Sequence, residues 1–189
     1  VLHQWQGICY YKKKITITPE EAKKHIWIEF EGAMHLADVW INGKHVMQHA
    51  GGYTPFVVDA TGLLKTGKEN ELLVRLDNRN NSLIPPGKPL ETLDFCYYGG
   101  IYRNVHLIAK ADVHITHPIL DGHPAGAGIF ITYPKVSQEL SVVDAKTEIK
   151  NTSDKEKVVE LRHTLYTWKK QKGKDKKVQN ISETLTLHP

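Results

Sequence analysis

The chain has 189 residues, 40% of them hydrophobic and 24% charged, which is ordinary for a globular protein with one large domain or two smaller ones. It contains no run of about 18 apolar residues, so the sequence predicts no membrane-spanning helix. The net charge of +4 is spread evenly, with 13 Lys and Arg against 11 Asp and Glu in residues 1–111, and 12 against 10 in residues 112–189. Neither part is a basic patch of the kind that binds nucleic acid.

The termini and the cysteines give little information on function. The N-terminus carries no signal-peptide pattern and opens without Met, so we expect upstream sequence and leave localisation open between a bacterial cytoplasm and periplasm. Cys9 and Cys96 are too few for a disulfide framework or a zinc site; both are interpreted as free thiols, with a single bridge between them as the alternative. The lysine-rich residues 169–177 are interpreted as a solvated hairpin tip, because no aromatic residues are interleaved to bind a polyanion.

Nearly every periodic segment alternates apolar and polar residues with a period of two, which is typical of β-strands. The exception is residues 19–24, which are predicted to form one helical turn with Thr18 as N-cap and Pro19 in the first helical position. The sequence therefore predicts an all-β fold. The predicted strands of the first part are residues 15–17, 26–30, 72–76 and 105–108.

Turn-forming residues define the connections between these strands. Asn42-Gly43 predicts a hairpin with a type I′ turn, because both residues tolerate a positive φ. Residues 51–56 predict a glycine-rich loop that enters an edge strand, since Pro55 cannot donate a hydrogen bond to a neighbouring strand.

Two further segments have local interpretations. Asn70-Glu71 has the composition of a catalytic pair, but it follows Gly67 at the start of a strand and is interpreted as a structural turn. In residues 80–89, the two consecutive prolines favour a stiff, extended path.

A domain boundary is predicted near residue 111, and residues 112–189 are predicted to form an immunoglobulin-like sandwich. Such a sandwich has about seven strands and about 100 residues, so we expect this domain to be incomplete at its C-terminal end. The predicted strands of this second part are residues 113–119, 127–134, 139–150, 157–168 and 177–187.

Candidate chemistry is sparse. His114 and His117 are not expected to share a metal ion, because residues three apart on a strand face opposite sides. Asp94 is the strongest binding candidate: its carboxylate is close in sequence to Phe95, Tyr97 and Tyr98, and it can accept a sugar hydroxyl or bind a cation while the rings stack on sugar faces. The alternative is a loop aspartate that accepts backbone N–H groups. No catalytic residue is assigned within the chain.

Several motifs occur in a fixed order along residues 5–111: Phe30-Glu31-Gly32, Val39-Trp40-Ile41-Asn42-Gly43, Gly51-Gly52-Tyr53-Thr54-Pro55-Phe56, Asp59, Gly67-Lys68-Glu69-Asn70 and Gly99-Gly100-Ile101-Tyr102-Arg103-Asn104-Val105. This set resembles the N-terminal sugar-binding domain of glycoside hydrolase family 2, which includes β-galactosidases, β-glucuronidases and β-mannosidases. The resemblance implies a jelly-roll (galactose-binding-like) β-sandwich over residues 1–111, then an immunoglobulin-like β-sandwich over residues 112–189. A TIM barrel with two catalytic Glu residues would follow, outside this chain.

The implied activity is retaining hydrolysis of terminal β-galactosides by the whole protein. This chain would support the barrel and line one wall of the sugar pocket without catalysing the reaction. A β-glucuronidase, another family 2 glycosidase or a free-standing carbohydrate-binding module are the alternatives. The resemblance also implies a carbohydrate substrate bound through the barrel. A homo-oligomer is one expectation for the whole protein, and charge and hydropathy predict no nucleic-acid or membrane partner.

The resemblance adds a specific role for Asp94. In β-galactosidases of the family, an Asp just before the final Gly-Ile-aromatic-Arg motif reaches the sugar and helps to hold a sodium ion. Asp94 matches that place, and Tyr97 is assigned to substrate binding beside it. Residues 95–98 depart from the best-known pattern, so pocket shaping by Asp94 is the alternative to sodium binding. No cofactor is expected in this chain; sodium and magnesium are expected in the whole protein.

Overall fold

The computed structural model describes residues 5–95, 97–123, 127–167 and 177–189. These residues form fifteen β-strands and two short 3₁₀ turns, so the predicted all-β fold is confirmed. No helix within these residues is long and apolar enough to cross a membrane. Cys96 and most of the lysine-rich segment lie outside the described residues, whereas Cys9 is a half-buried free thiol.

The chain divides into two compact units. The first contains Val1–Ala111 and His117–Ala127, and the second contains Asp112–Thr116 and Gly128–Pro189. The domain boundary near residue 111 stays a prediction, because the chain passes between the units more than once.

The first unit is a β-sandwich of antiparallel sheets. Its larger sheet has the strand order β1-β7-β4-β5, its smaller sheet has the order β6-β2-β9, and β3 pairs with β8. In chain order, the strands are β1 (Ile8–Ile15), β2 (His25–Phe30), β3 (Ala33–Met34), β4 (Leu36–Ile41), β5 (Lys44–Ala50), β6 (Phe56–Asp59), β7 (Asn70–Asp77), β8 (Gly100–Ile101) and β9 (Val105–Lys110).

The core lies between the two larger sheets, and the period-two pattern of the sequence explains why. Along β7 the alternate side chains of Leu72, Val74 and Leu76 are buried, as expected of a strand with one face on the core. On the opposite sheet, Phe30 stacks on Phe56 with ring centroids 4.6 Å apart. Fully burying a side chain of this size stabilises the fold by about 2 kcal/mol.

The predicted hairpin turn at Asn42-Gly43 is confirmed. Asn42 has φ 51° and Gly43 has φ 81°, and Ile41 pairs with Lys44 across the turn. The Asn42 side chain also donates to the Asn70 side-chain oxygen at 2.8 Å and accepts from the Glu71 backbone N–H at 3.1 Å. The turn is therefore attached to the start of β7 as well as to its own strands.

Asn70 and Glu71 have structural partners, in agreement with their interpretation as a turn. The Asn70 side chain is fully buried, accepts from the Lys65 backbone N–H at 2.7 Å, and donates to the carbonyls of Lys65 and Lys68 at 2.9 and 3.1 Å. Glu71 forms an ion pair with Lys12 on β1.

The predicted helical turn is present as a 3₁₀ turn at Glu21–Lys23. The Thr18 hydroxyl accepts from the Glu21 backbone N–H at 3.2 Å, and the Glu21 carboxylate accepts from the Thr18 backbone N–H at 2.8 Å. This reciprocal pair is a capping box, which fixes the start of the turn.

The predicted strand 113–119 was wrong at its C-terminal end. The strand stops at Ile115, and His117 packs edge-on against Trp27 of β2 with ring centroids 5.5 Å apart. The Asp121 carboxylate accepts from the His117 backbone N–H at 2.8 Å, which turns the chain. His117 therefore packs on the first unit, to which the segment His117–Ala127 belongs.

The proline-containing loop also differs from its prediction. Residues 82–86 form turns, so the predicted extended path was wrong. The Asn80 side chain accepts from the Leu90 backbone N–H at 3.0 Å, and the Asn81 side chain accepts from the Leu83 backbone N–H at 2.9 Å. These asparagine bonds turn the backbone at both ends of the loop.

The second unit contains three antiparallel strand pairs within its described residues: β10 with β13, β11 with β12, and β14 with β15. The predicted strand 139–150 is divided at Glu148, whose backbone N–H donates to the Gly128 carbonyl at 2.9 Å. Thr147 and His163 form a hydrogen bond of 2.8 Å between β12 and β14. The strands are β10 (Val113–Ile115), β11 (Ile129–Val136), β12 (Ser141–Thr147), β13 (Ile149–Asn151), β14 (Lys157–Tyr166) and β15 (Lys177–Leu187).

Strand β1 lies at one edge of the larger sheet, within the described residues. Lys13 pairs with Leu72, whose side chain is in the core, so Lys13 occupies a core-facing position. The lysine is nevertheless exposed, together with Lys12 and Lys14 on either side of it.

Candidate functional site

Two loops meet at one end of the first unit. Tyr53, from residues 51–55, packs edge-on against Phe95, from residues 93–98, with ring centroids 6.3 Å apart. In the second loop, Tyr98 stacks on Tyr102 with centroids 6.4 Å apart. Phe95 and Tyr98 are 47% and 61% exposed, so both side chains keep surface that a ligand can contact.

The first loop is braced from below by His49 on β5. The ring of His49 stacks on Phe56, and its Nε2 lies 3.0 Å from the Gly51 carbonyl and 3.1 Å from the Thr54 hydroxyl. Because a carbonyl only accepts, Nε2 carries the proton. Burial lowers the pKa of His49, although the backbone of Gly51 and Thr54 opposes that shift, so the ring is neutral near pH 7.

Two further hydrogen bonds fix this loop, one from Tyr102, directly after β8, and one to His35, directly before β4. The Tyr102 hydroxyl donates to the Gly52 carbonyl at 2.6 Å. The Gly51 backbone N–H donates to the His35 carbonyl at 2.9 Å. The loop is therefore fixed on both of its sides.

Tyr97 connects the second loop to a buried histidine. The Tyr97 hydroxyl forms a hydrogen bond with Nδ1 of His35. His35 immediately precedes β4 in the chain and is 2% exposed. Burial raises the pKa of Tyr97 to about 12, and Tyr53 adds to this shift. The phenol is consequently protonated over the whole physiological pH range.

Asp94 lies exposed on the second loop, directly before Phe95. Within residues 5–95, 97–123, 127–167 and 177–189, no side chain or backbone N–H donates a hydrogen bond to its carboxylate. Both interpretations of Asp94, as a binding carboxylate and as a loop aspartate that accepts backbone N–H groups, stay predictions. The carboxylate is available to accept hydrogen bonds from a ligand.

A charged network lies beside the loops, on β4 and β7. The Asp77 carboxylate accepts from Arg79 at 2.6 and 2.9 Å and from Arg75 at 3.3 Å, and Arg75 also donates to Asp38 at 3.1 Å. Hydrogen bonds from Arg79 lower the pKa of Asp77 despite its burial, and the charge of Arg75 adds to the shift. Burial alone would raise the pKa of Asp38, but hydrogen bonds from Gln48 and its other partners outweigh it and the net shift is downward.

This network borders a small cavity of about 250 Å³. Asp77 already shares its oxygens with two arginines, so it has little capacity left for another ligand. The cavity residues are His35, Leu36, Asp77, Arg79, Asn80 and Asn81.

The described residues do not form a metal site. No group of three or more His, Cys, Asp or Glu side chains in this part of the chain is arranged to hold a metal ion. Asp94 alone supplies too few oxygens for a hard cation, so no chemistry is assigned to sodium or magnesium at this site. The expected sodium and magnesium of the whole protein stay predictions.

Comparison with known proteins decides the family. Residues 2–111 match the family described as "Glycosyl hydrolases family 2, sugar binding domain", which is more than half of the chain. The chain belongs to glycosyl hydrolase family 2. The predicted resemblance is therefore confirmed. The two loops that carry Tyr53 and Phe95 lie within the residues that match the family 2 sugar-binding domain.

Similar proteins within family 2 carry two different names. A β-glucuronidase of Bacteroides fragilis is 36% identical over 150 residues, covering 77% of this chain and 20% of the relative. A β-galactosidase of Thermoanaerobacter pseudethanolicus is 36% identical over 151 residues, covering 78% of this chain and 20% of the relative. The chain thus spans about a fifth of the length of these relatives.

The fold is also similar to solved structures. Bacteroides uniformis β-glucuronidase 2, covalently bound to cyclophellitol-6-carboxylate aziridine, has a TM-score of 0.79 and 30% identity. The match covers 97% of this chain and 20% of the other. This similarity supports the prediction that two β-sandwiches follow each other along the chain.

The structure brings the two predicted site residues onto one loop, with Asp94 exposed and Tyr97 half-buried. Their assignment to substrate binding stays a prediction. Sequence reasoning missed His35 and His49, because a single histidine carries no pattern that distinguishes a buried brace from a surface residue. The position of His35, immediately before the alternating segment of β4, was the only available signal.

Proposed function

We propose that this chain forms one wall of the sugar pocket of a family 2 β-glycosidase. The observation that carries the proposal is the exposed Asp94 carboxylate on the same loop as the partly exposed rings of Phe95 and Tyr98. A carboxylate accepts hydrogen bonds from sugar hydroxyls, and an aromatic ring buries large apolar area against a flat ligand face. Membership of family 2 supports a carbohydrate as that ligand.

The whole protein is proposed to hydrolyse terminal β-glycosides with retention of configuration. Retaining glycosidases use two carboxylates about 5–5.5 Å apart and form a covalent glycosyl intermediate. The covalent adduct on the similar β-glucuronidase is consistent with that type of mechanism. The two carboxylates are proposed to lie on a barrel outside this chain, so the chain positions the substrate and does not cleave it.

Two sugars are candidates for the substrate. A β-glucuronide is supported by the names of the Bacteroides relatives and by the carboxylate of the bound inhibitor in one of them. A β-galactoside, the first choice of the sequence interpretation, is supported by the name of the Thermoanaerobacter relative. Full-length protein should be assayed with p-nitrophenyl β-glucuronide and β-galactoside, and kcat/KM compared between them.

The role of Asp94 can be tested in the same assay. Asp94→Asn should lower kcat/KM about tenfold or more, because a hydrogen bond to a charged group contributes about 1.5–3 kcal/mol. Glu91→Gln is the matched control, since Glu91 is an exposed carboxylate close by in sequence. Unchanged kinetics of Asp94→Asn on every β-glycoside cleaved would contradict the proposed wall.

A further inference from the structure

The loop that carries Asp94 is attached to the sandwich through the ring of His35. Nδ1 of His35 and the Tyr97 hydroxyl are hydrogen-bonded, and the two rings meet edge-on with centroids 5.8 Å apart and planes at 76°. His35 is held in turn by the sheet, because its backbone N–H donates to the Asp77 carbonyl at 3.4 Å and its carbonyl accepts from Gly51 at 2.9 Å. Tyr97 therefore binds a rigid part of the fold.

The direction of this hydrogen bond follows from the protonation of both groups. The phenol of Tyr97 retains its proton, since burial raises its pKa to about 12. Burial lowers the pKa of His35, although Asp77 opposes that shift, and the neutral ring has one acceptor nitrogen. The Tyr97 hydroxyl therefore donates to Nδ1, which places the ring proton of His35 on Nε2.

Asp94 lies three residues before Tyr97 on the same loop, so the attachment of Tyr97 bears on the position of the Asp94 carboxylate. At the start of the loop, the Leu93 backbone N–H donates to the Leu90 carbonyl at 3.2 Å. Beyond that point, rings of the loop contact the rest of the unit: Phe95 meets Tyr53, Tyr97 meets His35, and Tyr98 stacks on Tyr102. The Tyr97–His35 pair also carries a directional hydrogen bond, which restricts the position of the loop.

We infer that His35 is a positioning residue for sugar binding, which acts through Tyr97 to hold the Asp94 carboxylate in the substrate pocket. The inference rests on the proposed function, since it assigns a support to the same pocket wall. His35 itself does not touch the sugar. It contributes to affinity by ordering a loop before the substrate arrives, which removes part of the entropy cost of binding.

Kinetics of the full-length enzyme on its best β-glycoside test the inference. Tyr97→Phe and His35→Leu should each raise KM about threefold to tenfold, the range expected for losing one neutral hydrogen bond. In both variants kcat should stay within about twofold, because chemistry on the barrel is unchanged. His35→Asn should restore most of the affinity, since its side-chain oxygen can accept the Tyr97 hydroxyl in place of Nδ1.

Tyr10→Phe is the matched control for the loss of a hydroxyl. Tyr10 is exposed on β1, outside the two loops, and pairs with Arg75 on β7. Its KM should equal that of the unmodified enzyme. Equal KM values for Tyr97→Phe and Tyr10→Phe would overturn the inference.

A double-mutant cycle separates positioning from a general loss of stability. If Tyr97 acts through Asp94, Tyr97→Phe should have no further effect on KM in an Asp94→Asn background. Additive effects of the two substitutions would overturn the inference, because they would show that Tyr97 acts independently of the carboxylate.

The two proposals fail in different ways. If Asp94→Asn leaves KM unchanged, the proposed pocket wall fails whatever the other variants do. If Asp94→Asn raises KM but Tyr97→Phe and His35→Leu do not, the pocket wall stands and the positioning role of His35 is overturned.

Discussion

The side chain of Asn70 has hydrogen-bond partners in several parts of the chain. It is completely buried and joins its own strand, β7, to three other segments: the turn after β4, residues 65–68, and the end of β1 at Ile15. A buried amide is stable only when its donors and acceptors are satisfied, and this one satisfies partners on each segment. The Asn70 amide therefore takes the place of several backbone hydrogen bonds.

We expect Asn70→Ala to lower the free energy of unfolding by about 2–4 kcal/mol, because it leaves several buried polar groups without partners. The measurement is equilibrium denaturation in urea. Asn180→Ala is the control: Asn180 is exposed on β15 and accepts one hydrogen bond, from Thr164. A similar loss in both variants would contradict the structural role of Asn70.

Asp77 predicts how stability depends on pH. Its pKa is lower in the native state, chiefly because Arg79 donates to it, so the native state holds its proton less tightly than the unfolded chain. The resulting stabilisation is complete above the unfolded pKa of about 3.9, and it is lost as the pH falls through the native pKa.

The stability difference between the unmodified protein and Asp77→Asn should therefore shrink between about pH 6 and about pH 3. Urea midpoints at several pH values measure it. A difference that grows on acidification would contradict a lowered native pKa of Asp77.

At the scale of elements, the two site loops differ in how they are fixed. The loop after β5 is held through hydrogen bonds to its backbone, and its glycines let that backbone approach the sheet closely. The Asp94 loop is held by aromatic side chains. A Cβ on Gly52 would collide with the Met34 sulfur and lie 2.7 Å from its methyl carbon, so any other residue here requires Met34 to move.

Gly52→Ala should raise KM, because the added methyl displaces the carbonyl that accepts the Tyr102 hydroxyl and moves Tyr53 with it. Steady-state kinetics of the full-length enzyme measure the change. Gly51→Ala should have a smaller effect, since its added methyl meets the rotatable Thr54 hydroxyl. The reverse order of the two effects would contradict the role of Gly52 in holding the loop against the sheet.

The hairpin turn between β4 and β5 gives a prediction about stability alone. Gly43 has φ 81° and open space around its Cα, so Gly43→Ala should cost about 1–2 kcal/mol through backbone strain without any clash. Gly43→Asn should cost less, because Asn tolerates this conformation. Thermal unfolding of both variants tests the order.

Elements with strong local signals could be predicted from the sequence, and the rest could not. Asn42-Gly43 determines its own turn, and the alternation in β7 determines its own buried face. The position of His117 depends instead on its contact with Trp27, which is distant in sequence. The hydrogen bond from Tyr97 to His35 likewise joins residues that are 62 positions apart in sequence, so no local pattern predicts it.

At the scale of the whole molecule, the proposed division of labour places binding groups on this chain and bond cleavage elsewhere. We expect residues 1–189 alone to release no p-nitrophenol from a β-glucuronide or β-galactoside, while the full-length protein cleaves at least one. Proton NMR of the first product formed should show the β-anomer, as a retaining mechanism requires. Turnover by the isolated chain would contradict the division.

The core-facing lysine of β1 has a consequence for solubility. An edge strand offers unpaired backbone groups to the edges of other molecules, and a second copy could extend the sheet there. Any strand that docked beside Lys13 would have to bury its ammonium group against the apolar side chains of the sandwich, next to two further lysines. The inward-facing charge of Lys13 therefore disfavours the pairing of other chains with the edge of β1.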